Sequence, residues 1–197
     1  ISKTALAGNS TKKTASGSLT EFAIFKTFSV KILPPKAPNI IEVLWQPPLN
    51  LWVKCNIDGA AKGYPGLAAC AGLFRDNSGD FIGGFAKNLG LASSLFAELM
   101  GAILAIEIAQ NKGWNNMWLE TDSKLVQLAF KSPSLVPWML NNRWQNCLHK
   151  VRSMNFIVTH LYREGNSCAD TLANLGLNLD AFCWWDVPPP QIAADLH

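Results

Sequence analysis

The chain has 197 residues, 49% of them hydrophobic, 16% charged and 10% aromatic. That is enough apolar side chain for a core and too little charge for a disordered chain, and the length excludes a disulfide-stapled miniprotein. The net charge of +3 is uneven: residues 1–50 carry six lysines and two glutamates, whereas residues 51–197 carry 11 basic and 12 acidic side chains.

The basic excess thus lies in an N-terminal segment that is Ser/Thr-rich and then Pro-rich, ending in LPPKAPNIIEVLWQPP. Residues 1–49 read as a flexible basic linker or tail, a reading that competes with that of a nucleic-acid arm. The chain opens on Ile1, with no apolar run of signal-peptide kind in residues 1–20, and is expected to be a piece of a larger polypeptide. The longest apolar stretch, near Leu95 to Ala109, carries two glutamates and falls short of the about 20 residues a membrane span needs, so no membrane partner is expected. Cys55, Cys70, Cys147, Cys168 and Cys183 are odd in number and show no ligand spacing. Reduced thiols in an intracellular protein, with the nucleus as one fitting compartment, are the expectation.

From Leu51 the pattern changes to short strands and turns. WVKCNIDGA alternates Val53, Cys55 and Ile57 with Lys54, Asn56 and Asp58, predicting a half-buried strand whose Gly59 permits a close backbone approach. LAACAGLFRD and DFIGGFAKN follow, joined at Asn77-Ser78-Gly79, a hairpin turn signal. SSLFAELMGAILAIEIAQNKG predicts a helix from Ser93-Ser94 to Gly113, with Glu98, Gly101, Ala105 and Ala109 on one narrow face.

NMWLETDS predicts a buried strand, with Asp122 at its carboxyl end, where α/β sheets collect ligands, and a second helix to about Lys131. Pro133 and Pro137 break the chain before a third helix through Trp138, Leu140, Trp144 and Leu148. NFIVTHLYRE alternates as a strand, and NSCADTLANLGL is a helix with Asp170 in its first turn and Asn166 as its expected cap. Trp114, Trp118, Trp138 and Trp144 are expected in the core or half-buried. The folded domain is expected over residues 50–178, with residues 179–197 as a Pro-containing tail.

Asp58, Glu98, Asp122 and Asp170 fall at strand ends or on helices. Converging carboxylates suit hard divalent cations, and two such cations can activate water for phosphodiester cleavage. Close like charges without a cation are unfavourable, although a lone Asp at a helix start is ordinarily a cap.

WVKCNIDGA, the AEL around Glu98, LETDS and HLYREGNSCADTLANLG, in that order and spacing, resemble the RNase H-like domain of plant non-LTR retroelements over roughly Trp52 to Leu177. The resemblance implies an α/β ribonuclease H-like fold, a five-stranded mixed sheet with three antiparallel strands and then parallel ones, flanked by helices. It implies magnesium-dependent cleavage, manganese substituting, of the RNA strand of an RNA–DNA hybrid, with 5′-phosphate and 3′-hydroxyl products. Asp58 and Asp122 match the inner metal ligands, Glu98 the second-metal and RNA contact, and Asp170 the remaining ligand. Gly59, Ala60 and Ser94 match positions that touch the hybrid's minor groove. Lys124 is a candidate phosphate contact, and Ser94 has an alternative as a helix cap. His160 resembles an auxiliary histidine, although the alternation of its strand favours a residue packed there, and Arg163 is a candidate electrostatic residue.

Lys131 to Lys150 holds only Lys131, Arg143 and Lys150 as cations, unlike the basic protrusion of bacterial enzymes, so weak and salt-sensitive binding is expected. The N-terminal lysines, or a reverse transcriptase in the parent chain, would supply affinity, and a monomer is expected. A DEDD-type exonuclease needs Asp-x-Glu where Gly59-Ala60 follow Asp58, and an integrase-type order places its Glu after the second Asp. The remaining alternative is a degenerate or domesticated module that binds nucleic acid without cleavage.

Overall fold

The computed structural model describes residues 45–196. Residues 1–44, and with them most of the expected basic linker, lie outside the described residues.

Strand β1 (Val53–Gly63) pairs antiparallel with β2 (Gly66–Arg75), and β2 with β3 (Phe81–Ala92). The predicted turn between β2 and β3 forms at Asp76–Asp80, where Asp76 Oδ1 accepts from the amides of Ser78 and Asp80 and Gly79 takes φ +86°. Helix α1 (Ser94–Asn111) follows, capped by the Ser93 hydroxyl, which accepts from the Phe96 amide. β4 (Asn116–Thr121) lies parallel to β1. Short helix α2 (Lys124–Ala129), two 3-10 turns, α3 (Asn141–Val151), β5 (Asn155–His160) parallel to β4, and α4 (Ser167–Gly176) complete the predicted order.

The sheet has six strands rather than the expected five, in the order β5-β4-β1-β2-β3-β6. The added β6 (Cys183–Trp185) comes from the expected tail and pairs antiparallel with β3. Trp184 secures it by lying over the bare backbone of Gly83, its ring 6.0 Å from that of Phe74. A three-residue strand has no periodicity to read, and the prolines at 188–190 end it.

Two cores sandwich the sheet. On one face, α1 and α3 bury Leu99, Ile103, Ile106, Trp144 and Cys147 against Cys55, Ile57 and Leu119. On the other, α4 packs Ala169, Leu172 and Ala173 on Ala71, Leu73 and Ala86. Helix α1 is long and apolar enough to cross a membrane by length and composition, and here it is the buried core helix. All five cysteines are free, four of them buried.

β1 is buried on both faces, not one. Lys54 and Asn56 are each 1% exposed, because α4 and Trp45 cover the face that alternation assigns to solvent. Trp45 donates from Nε1 to Asn56 Oδ1 (3.1 Å). Trp138 is 85% exposed on the turn before α3, against the expectation of partial burial, whereas Trp144 is fully buried.

Candidate active site

Gly59 fixes the geometry of the site. A Cβ there would lie 2.7 Å from the Ala97 carbonyl carbon and against the Glu98 amide, so only glycine lets α1 come this close to β1. Gly101, one turn further along α1, would set a Cβ 3.4 Å from the Asp58 carbonyl and 3.5 Å from that of Ala71. The small-residue face of the helix thereby lays Glu98 beside the end of the strand segment that carries Asp58. Parallel pairing of β4 with β1 then brings the carboxyl end of β4, and Asp122 just past it, to the same place.

Carboxylate oxygens of Asp58, Glu98 and Asp122 lie within 4.8 Å of one another, each from a different element. Asp58 and Glu98 are buried. Asp58 Oδ1 accepts from the Gly59 amide at 2.8 Å, but Glu98 Oε2 and Asp122 Oδ1 are buried oxygens without a hydrogen-bond partner. Burial, and then the charges of neighbouring carboxylates, raise the Asp58 and Glu98 carboxyls well above the ordinary range. Three like-charged groups held together in low dielectric, two with orphaned oxygens, fit a divalent cation bound through oxygen.

Asp170, in the first turn of α4, lines the same cleft outside this trio and raises the Asp58 carboxyl further. Its Oδ1 accepts from Arg163 Nη2 at 3.3 Å in a pair that is largely exposed on the arginine side. The cleft has a volume of about 270 Å³; beyond the four carboxylates its walls include Gly59, Ala60, Ser94 and Arg163.

Lys124 and His160, also expected at the site, sit elsewhere. Lys124 is exposed in the first turn of α2 and does not line the cleft. His160 ends β5 outside the cleft lining, with Nε2 3.0 Å from the Asp122 carbonyl and its ring edge-on to Tyr162, so it holds the β4–α2 turn. Ser94 is the first residue of α1, and the neighbouring Ser93 is the cap. Asn166 does not cap α4 through its side chain; its buried Nδ2 donates to the Ile57 carbonyl at 2.9 Å and ties the helix start to β1.

Two polar cleft residues carry no motif in the sequence, Lys62 and Asn174. The available signal is spacing: Lys62 stands four residues beyond Asp58 on the same strand, and Asn174 stands four beyond Asp170 on the same helix.

A family model described as reverse transcriptase-like matches residues 56–176. A protein of Arabidopsis thaliana named as a ribonuclease H protein is 34% identical over 171 residues, which is 85% of this chain and 27% of that protein. The chain therefore spans about a quarter of that relative's length. RNase H1 from the halophilic archaeon Halobacterium salinarum superposes with a TM-score of 0.57 at 27% identity, over 64% of this chain and 98% of the other. LC11-RNase H1, solved in complex with an RNA/DNA hybrid, gives the same TM-score at 22% identity, over 64% and 96% of the two chains, and shares the fold.

Proposed function

The chain belongs to the reverse transcriptase-like family and carries its RNase H-like domain, and from that premise we propose that it is a divalent-metal-dependent endonuclease acting on the RNA strand of RNA–DNA hybrids. The observation that carries the reading is the convergence of Asp58, Glu98 and Asp122 oxygens within 4.8 Å. The names of the relatives support the reaction class.

Asp58, Glu98 and Asp122 would hold magnesium, or manganese in its place, with Asp170 joining from the rim once Arg163 turns aside. The bound cations supply a water of lowered pKa and positive charge opposite the developing charge on phosphate. Gly59, Ala60 and Ser94 line the cleft, which supports reading their backbone and the Ser94 hydroxyl as the groups that would meet the minor groove, where 2′-hydroxyls distinguish RNA from DNA. The water oxygen bonds to phosphorus, the bond to the 3′ oxygen breaks, and that oxygen leaves with a proton, giving 5′-phosphate and 3′-hydroxyl ends. His160 acts only through the Asp122 backbone it holds. The setting is intracellular, within a longer parent chain that includes a reverse transcriptase.

The test incubates the full chain with a labelled hybrid at low salt in magnesium, manganese or chelator, beside Asp58→Asn and Glu98→Gln. Metal-dependent cleavage of the RNA strand, reduced at least about 10³-fold in either variant, is the expected result. The Arg163–Asp170 pair favours one second reading, a module that binds hybrid without turnover. Binding without cleavage in either metal would select it.

A further inference from the structure

The two edges of the sheet differ. β6, at one edge, is three residues long and runs into the prolines at 188–190, which blunts it against further pairing. β5, at the other, has six residues in unbroken register with β4, among them no proline, glycine or charged lysine, and spans about 20 Å. None of the six is buried, and among the described residues no strand pairs with the outer side of β5. Phe156 and Val158 pair with the buried Met117 and Leu119 and so share the sheet face that carries α1. There, with Phe130, Leu148 and Val151, they line a groove of about 430 Å³. Its aromatic floor is already packed, the Phe130 ring lying 5.2 Å from that of Phe156 and 4.7 Å from that of Trp144. On the opposite face of β5, Ile157 is 43% exposed.

Charge sets the sign of what fits. Residues 123–163 hold six lysines and arginines and no aspartate or glutamate. Arg143 and Arg163 are paired with Glu107 and Asp170, and Lys150 donates to Gln110. Lys131 and Arg152, both exposed and both lining the groove, form no ion pair among the described residues.

We propose that β5 and this groove dock an extended acidic segment of a partner protein, which adds to the sheet as a seventh strand. Its backbone pairs with the open side of β5, alternate apolar side chains enter the groove, and acidic side chains flanking them meet Lys131 and Arg152. Two copies of this chain joined through β5 would bring the same cations together, so a second copy is disfavoured. Nucleic acid has the right charge but no alternating apolar side chains to fill the groove, whose floor is committed to packing and offers no ring for a base. The groove shares no residue with the carboxylate cleft, so the proposal stands apart from the nuclease reading.

The probe is a short fluorescent peptide with two alternate valines between terminal glutamates, titrated into the full chain at low salt. Beside it run the same peptide with lysines for the glutamates, and one N-methylated on the amides that would face β5. The acidic peptide should bind, and each of the other two should bind at least about tenfold more weakly. Lys131→Glu combined with Arg152→Glu should reverse the preference between the acidic and lysine peptides. The double variant should leave hybrid cleavage within about twofold and the melting temperature unchanged, because both residues are exposed. Equal binding of the acidic and lysine peptides, indifference to N-methylation, or no binding at about 1 mM would overturn the proposal. A double variant that loses hybrid affinity while keeping wild-type peptide affinity would overturn it too, and assign the patch to nucleic acid.

Discussion

β1 and β4 carry two charged clusters that differ in one respect, whether the protein supplies the counter-charge. At the Lys54 end, Lys54 Nζ meets Glu120 Oε2 at 2.9 Å and donates to the Gln46 carbonyl at 2.7 Å, between the rings of Trp118 and Trp45. Glu120 also accepts from Asn56 Nδ2 and Thr159 Oγ1. At the other end, with Asp58 four residues beyond Lys54 on β1, Asp122 just beyond β4 and Glu98 on α1, the three carboxylates are packed together with two buried oxygens unpartnered. The same strands thus position a completed ion pair and two members of an uncompensated trio, the third, Glu98, coming from α1. A chain able to neutralise one buried charge so fully leaves three others unpaired, an arrangement that fits a cation from solution.

The contrast is broken most sharply by removing one charge from each cluster. Lys54→Ala strands Glu120 in the sheet and should destabilise by about 3 to 5 kcal/mol, whereas Asp58→Asn removes a repulsion and should stabilise the metal-free protein by about 1 kcal/mol. Urea melts in chelator compare the two; equal signs would abolish the distinction. Next in size, magnesium at 100 times its Kd should stabilise the wild type by about 2.7 kcal/mol through binding only the folded state. Thermal melts should show that gain lost in Asp58→Asn and kept in a variant of the exposed Lys124. Gly59→Ala, which drives a methyl into the α1 backbone, should cost about 1 to 3 kcal/mol. Its loss of hybrid cleavage should exceed what the unfolded fraction explains, since Glu98 moves with the helix.

The smallest effect is the pH profile. Asp58 and Glu98 carry raised carboxyls, so the unfolded chain releases their protons near pH 4 while the folded chain holds them to higher pH. Between those limits the folded state binds more protons, so metal-free stability is full below about pH 4 and falls as pH rises through the raised values, by at least about 1 kcal/mol. A melting series in chelator should show the decline, and saturating magnesium should flatten it. A metal-free stability that rises over the same range would mean that the trio is not mutually repulsive.

The four carboxylates are legible in the sequence because each sits in a short local pattern, such as an Asp before Gly in an alternating strand, a Glu on a small-residue helix face, or an Asp before a Ser cap. The order of strands and helices is legible for the same reason, each being set by alternation, turn chemistry and caps. Lys62 and Asn174 are not, although their spacing places them, since a lysine in a strand and an asparagine on a helix carry no chemical signature alone. Lys124 stands next to the motif and yet α2 turns it outward.

Sequence by itself determined the kinds of element, their order and the four acidic residues, because those rest on interactions within a few residues of chain. Tertiary structure alone decided that β1 is buried on both faces, that Trp45 covers β1 and β6 extends the sheet, and that three carboxylates form a trio while Asp170 pairs with Arg163. Most of those depend on which surfaces meet across tens of residues of chain, and no local pattern encodes such contacts: they are selected by close packing, by Gly59 beneath α1 and by Trp184 over Gly83.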